Sequence, residues 1–110
     1  MRAYELMVII DSDVDDAGVT AVNNRITELV TADDGSVAST DLWGKRRFAY
    51  PIKHKLEGIY VVHEIVTPAS NLDETDRFLR LADDVVRHKI IRLPDAEATK
   101  RGLFGESSAD

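Results

Sequence analysis

Residues 3–10, Ala-Tyr-Glu-Leu-Met-Val-Ile-Ile, form an almost unbroken apolar run rich in β-branched and aromatic side chains, which predicts a strand. Tyr4, Leu6, Val8 and Ile10 fall on one face, and Ala3, Glu5, Met7 and Ile9 on the other. The second face is nearly as apolar as the first, so this strand is expected at the centre of a sheet, with both sides covered. Asp11-Ser12-Asp13 is loop chemistry, and Asp13 or Asp15 is placed to cap a helix. Val19, Val22, Ile26, Leu29 and Val30 then recur at helical spacing. Asp33-Asp34-Gly35 ends that helix, with Gly35 available for a left-handed cap. Residues 36–50 predict a long strand with a bulge near Gly44. Pro51 cannot donate to a ladder, so this strand belongs at a sheet edge. Residues 53–57 read as a polar connection, and 58–66 as a third strand ended by Pro68. Ser70, Asn71 or Asp73 opens a second helix that buries Leu72, Leu79 and Ala82, with Phe78 and Leu81 flanking. Asp83-Asp84 closes it, and residues 85–93 predict a fourth strand.

The order strand, helix, strand, strand, helix, strand contains two interleaved βαβ units. Right-handed crossovers turn this order into an α+β, ferredoxin-like βαββαβ sandwich: a four-stranded antiparallel sheet with two helices on one face. Residues 1–93 are expected to form this domain. From Pro94 the chain turns polar and small, so residues 94–110 are expected to be a mobile tail. The helix-free sheet face would carry Met7, Ile9, Tyr60 and Val62, with Glu64 beside them. A contiguous apolar patch of this kind predicts a protein partner.

Charge changes the picture more than composition does. The chain has 110 residues, enough for one domain, and a net charge of −6. That total disfavours nucleic acid, but its distribution does not. Residues 11–34 carry Asp11, Asp13, Asp15, Asp16, Glu28, Asp33 and Asp34 against Arg25 alone. Residues 45–55 carry Lys45, Arg46, Arg47, Lys53 and Lys55 with no acid. Residues 77–92 carry Arg77, Arg80, Arg87, Lys89 and Arg92 against Asp83 and Asp84. Cations that neutralise phosphates gain free energy by releasing counterions, so a local basic patch suffices despite an acidic total.

Catalytic chemistry is not legible. No cysteine is present, which removes disulfides, thiol catalysis and cysteine-ligated metals and points to a cytosolic setting. Met1-Arg2 leads directly into a mixed segment, so no signal peptide is expected, and no apolar run reaches membrane-spanning length. His54, His63 and His88 lack metal-ligand spacing, and His63 falls on the helix-facing side as a core residue. Asp11, Asp13 and Asp15 lack the glycine and glutamate of a calcium loop, so capping explains them better. No phosphate loop, dinucleotide fingerprint or nucleophile elbow occurs, and no cofactor is expected. Small acyl-phosphate hydrolases share this fold class, but Asp11-Ser12-Asp13 after strand 1 would repel the phosphate they bind. No catalytic or metal residues are therefore assigned, and no small-molecule substrate is expected.

Three stretches carry a family resemblance. Arg2-Ala3-Tyr4-Glu5 before an apolar strand, Trp43-Gly44-Lys45-Arg46-Arg47-Phe48-Ala49-Tyr50-Pro51-Ile52, and Leu79-Arg80-Leu81 followed by Asp83-Asp84-Val85-Val86-Arg87 resemble the sixth ribosomal protein of the bacterial small subunit. Gly58-Ile59-Tyr60 fits as well. The resemblance covers residues 2–93 and implies the same ferredoxin-like fold. It also implies a non-catalytic role in the ribosome: binding the central domain of 16S ribosomal RNA as a heterodimer with the eighteenth small-subunit protein, S-eighteen. Arg2, Arg46, Arg47, Arg80, Arg87 and Arg92 are carried over as candidates for RNA or partner contact. Lys45, Lys53, Lys55 and Lys89 join them on charge alone. Met7, Ile9, Tyr60 and Val62, with Trp43 on the adjoining edge strand, are assigned to the partner protein. Base stacking on the sheet is not expected, because Tyr60 is the main aromatic on its open face. A ligand-sensing or regulatory dimerisation domain of the same topology is the rival reading.

Overall fold

A computed structural model describes residues 1–104. Its elements are β1 (Arg2–Asp11), α1 (Asp16–Ala32), β2 (Ser36–Ile52), β3 (Lys55–Thr67), α2 (Asp73–Leu81), β4 (Val85–Leu93) and α3 (Asp95–Lys100). The strands form one antiparallel sheet in the order β2-β3-β1-β4. β1 is therefore central and β2 an edge, as the sequence predicts. The inward face of β1 packs Tyr4, Leu6, Val8 and Ile10 against Val19, Val22, Ile26 and Val30 of α1 and Leu79 of α2. Ile26, Val30, Leu6 and Ile10 are fully buried there.

Local chemistry fixes α1 at both ends. Asp15 Oδ1 accepts from the Gly18 amide at 2.8 Å, so Asp15, not Asp13, is the cap. At the other end Asp34, with φ 63°, takes the left-handed position that the sequence reading gave to Gly35. The Asp34 amide donates to Thr31 O and the Gly35 amide to Val30 O, a Schellman closure. Gly35 is needed for another reason. A Cβ there would lie 2.8 Å from the Thr67 Cβ and 2.9 Å from the Val66 carbonyl, where the chain turns into the sheet.

The β2–β3 hairpin departs from expectation at its tip. Residues 53–57 are not a polar connection. Ile52 pairs with Lys55 across a two-residue turn, Lys53-His54, with both residues at positive φ (51° and 66°). Lower down, the pairing slips between Leu42 and Gly44, so Trp43 is the extra residue of the expected bulge. Ile52 and Lys53 share a cavity with Val85, Arg87 and His88, so the tip curls across the end of the sheet to the start of β4.

The segment after Pro94 differs most. It was expected to be a mobile tail, yet Asp95–Lys100 is helical and Ala98 is fully buried against Ala3 and Leu93. Leu103 and Phe104 pack on the same cluster. Three apolar residues, Ala98, Leu103 and Phe104, dock a stretch whose average composition is polar. Residues 105–110 of the expected tail lie outside the described residues.

Candidate nucleic-acid and protein interface

The sheet surface opposite α1 and α2 is built by strand parity. Met7 pairs with Val62, Ile9 with Tyr60 and Glu5 with Glu64, so all six side chains share that surface. Arg87, Lys89 and Ile91 join it from β4, paired with Ile9, Met7 and Glu5. Gly44 pairs with Tyr60 and Arg46 with Gly58, which brings Arg46 to the same side. The bulge aims Trp43 over Tyr60, with ring centroids 6.3 Å apart and planes 5° from parallel. Phe48 meets Tyr60 edge-on at 6.3 Å, and the Arg46 guanidinium lies 5.7 Å from the Trp43 ring centre. Gly58 leaves the space Phe48 needs, since a Cβ there would lie 2.5 Å from Ile9 Cγ2 and 2.9 Å from Phe48 Cζ.

Two expectations are corrected here. This face carries three aromatic rings rather than mainly Tyr60. The bulge register and the place of Phe48 on the inward-turning hairpin decide this, and neither is visible from alternation alone. The face is also less open than expected. Ile9 is only 7% exposed and Val62 only 9%. The aromatic hairpin covers one end and the segment around α3 the other, so Met7, Ile9, Tyr60 and Val62 share a face without forming one exposed patch. Trp43, at 44%, and Ile91, at 41%, stay exposed.

The predicted basic residues fall into three groups. Lys45, Arg46, Arg47, Lys53, Arg87 and Lys89 are exposed and enter no ion pair among the described residues. Lys53, Arg80 and Arg87 line one cavity, where the hairpin tip meets α2 and β4. Lys55 and Arg80 are already engaged. Lys55 Nζ lies 2.9 Å from Asp11 Oδ2, and this pair holds the aspartate below and the lysine above their usual ranges. Arg80 Nε lies 3.2 Å from Asp76, which also meets His88 Nε2 at 2.7 Å. Asp76 is held below the usual carboxylate range, mainly by that histidine contact. Arg2 and Arg92 sit at the far end of the sheet. Arg2 donates to the Ser70 carbonyl at 3.2 Å, and Arg92 pairs with Tyr4.

Sequence reasoning missed Arg101. Its Nη1 lies 3.1 Å from both Glu5 and Glu64, and its Nε lies 2.7 Å from Glu97. The Glu97–Arg101 spacing of four was a local helical signal. Its reach to Glu5 and Glu64 depends on the docked tail.

Among the described residues, no three His, Cys, Asp or Glu side chains gather as a metal site, and no helix is long and apolar enough to cross a membrane. What remains is a ferredoxin-like domain in which Arg46, Arg87 and Lys89 share one sheet surface with three aromatic rings, while Lys45 and Arg47 alternate to the other side of the hairpin, the outline of a binding module. The ribosomal protein S6 family model matches residues 3–92. The small ribosomal subunit protein bS6 of Symbiobacterium thermophilum is 45% identical over 92 residues, covering 84% of this chain and 97% of the relative. The bS6 of Corynebacterium efficiens is 45% identical over 93 residues, covering 84% and 98%. The crystal structure of 30S ribosomal protein S6 from Thermotoga maritima superposes with a TM-score of 0.82 at 29% identity, covering 94% of this chain and 97% of that one. The chain belongs to the ribosomal protein S6 family of the small ribosomal subunit, whose role is structural and not enzymatic.

Proposed function

We propose that this protein binds the central domain of 16S ribosomal RNA in the bacterial cytoplasm as a heterodimer with S-eighteen. The observation that carries this reading is the group of six cations on the hairpin and β4 that have no carboxylate partner among the described residues, set beside an exposed tryptophan in a ribosomal-protein fold. Lys45, Arg46, Arg47, Lys53, Arg87 and Lys89 take the phosphates. Arginine forks grip two phosphate oxygens at once, and lysines act as point charges. Lys55 and Arg80 contribute less, because each must first leave an aspartate. The partner protein takes the aromatic cluster around Trp43 and Tyr60 and the remaining sheet face.

Co-sedimentation from lysate at low and high magnesium tests the class. Recovery with the small subunit supports the ribosomal reading, whereas a self-associated protein free of RNA supports the regulatory-domain rival. Arg46→Ala with Arg47→Ala is expected to weaken binding to a central-domain RNA fragment in the presence of S-eighteen. Each lost phosphate contact reduces the salt slope by roughly 0.7–0.9. An unchanged slope would place both arginines outside the RNA contact.

A further inference from the structure

Glu5 and Glu64 face each other across β1 and β3, an arrangement of like charges that destabilises a sheet unless a cation sits on it. The cation here comes from the chain's own C-terminal segment: one Arg101 nitrogen reaches both carboxylates. Ser39 Oγ also donates to Glu64 Oε1 at 2.7 Å. Beside the pair, Ala3 and Leu93 pack with Ala98, Leu103 and Phe104, and Ile91, paired with Glu5, stays exposed. Two acids beside these apolar residues fit an arginine carried on a small, apolar helical segment, and they repel phosphate.

The present occupant is built to be loose. α3 has six residues and no side-chain cap, and it hangs from Pro94 at the end of β4. Helices this short are marginal in water, and terminal segments open at low free-energy cost.

We propose that residues 95–104 are an intramolecular stand-in for a basic amphipathic segment of the partner protein, whose arginine or lysine replaces Arg101 on Glu5 and Glu64. This rests on the heterodimer reading above. The strap competes with the partner, and the apparent affinity is lowered by the fraction of molecules in which the strap is docked.

The test titrates the full chain with purified S-eighteen and follows amide exchange in both states. The Ala98 and Leu103 amides, which donate to Pro94 O and Ala98 O, are expected to be protected in the free protein and to exchange fast in the complex. Arg101→Ala is expected to tighten binding several-fold, and Glu5→Gln with Glu64→Gln to weaken it at least tenfold in folded protein. Continued protection of Ala98 and Leu103 in a tight wild-type complex would overturn the proposal, as would weaker binding by Arg101→Ala, since either makes α3 part of the interface or a bystander. Failure of wild type and every variant to bind S-eighteen would remove the heterodimer reading itself and the strap proposal with it.

Discussion

His63 is the residue whose environment departs furthest from its chemistry. It is fully buried on the helix-facing side of β3, its Nδ1 lies 3.0 Å from Thr40 Oγ1, and its Nε2 has no partner among the described residues. The sequence placed it in the core; a half-satisfied ring is what the core holds. Burial pushes its pKa down from 6.5 to about 4, because a charged imidazolium would lose its water there. In the unfolded chain the ring protonates below about 6.5. The contribution of the neutral ring is therefore present above that pH and is lost as pH falls toward 4. Linkage sets the loss at up to about 3 kcal/mol. Urea titrations between pH 7 and 4 are expected to show this decline, and His63→Leu to flatten it. A wild-type stability that stays level across that range would mean the ring is hydrated or paired in solution.

The hairpin shows how sequence and element part company. Its core half was legible: alternation placed Tyr60 and Val62 on one face, Pro51 marked an edge strand, and Gly44 marked the bulge. Its tip was not, because Lys53 and His54 are poor residues for a turn that requires positive φ at both positions. The basic residues themselves were readable one by one. Which of them stand free was not, since the Lys55–Asp11 and Arg80–Asp76 pairs form through the fold. The docking of residues 95–104 was hidden for the same reason: Ala98 finds a seat only after Ala3 and Leu93 are brought side by side. The turn yields a prediction. His54→Gly removes a left-handed non-glycine residue, a strain of roughly 1 kcal/mol. If the tip unfolds with the domain, the melting temperature rises by about 4–8 °C per kcal/mol recovered. RNA binding should persist, because Lys53 remains. An unchanged melting temperature with slowed amide exchange near the turn would show that the tip opens on its own.

At the scale of the molecule the proposed RNA contact raises the question of how a chain of net charge −6 would bind a polyanion. The carboxylates of α1 lie on the opposite side of the sheet from Arg46, Arg87 and Lys89. The protein measures 48 × 27 × 22 Å, and at 0.15 M salt the Debye length is about 8 Å. Phosphates seated against Arg46, Arg87 and Lys89 therefore meet α1 across the sheet and a helix layer, beyond effective reach of its charge. Neutralising α1 with Asp16→Asn and Glu28→Gln is expected to leave RNA affinity and its salt slope unchanged at 0.15 M. Arg87→Ala with Lys89→Ala removes up to two phosphate contacts, and the slope should shrink by roughly 1.4–1.8. At 0.01 M, where the Debye length grows to about 30 Å, the α1 variant should bind more tightly than wild type. If α1 neutralisation tightened binding at 0.15 M as much as at 0.01 M, the RNA would have to run along the helices, and the basic sheet surface would lose its place as the phosphate contact.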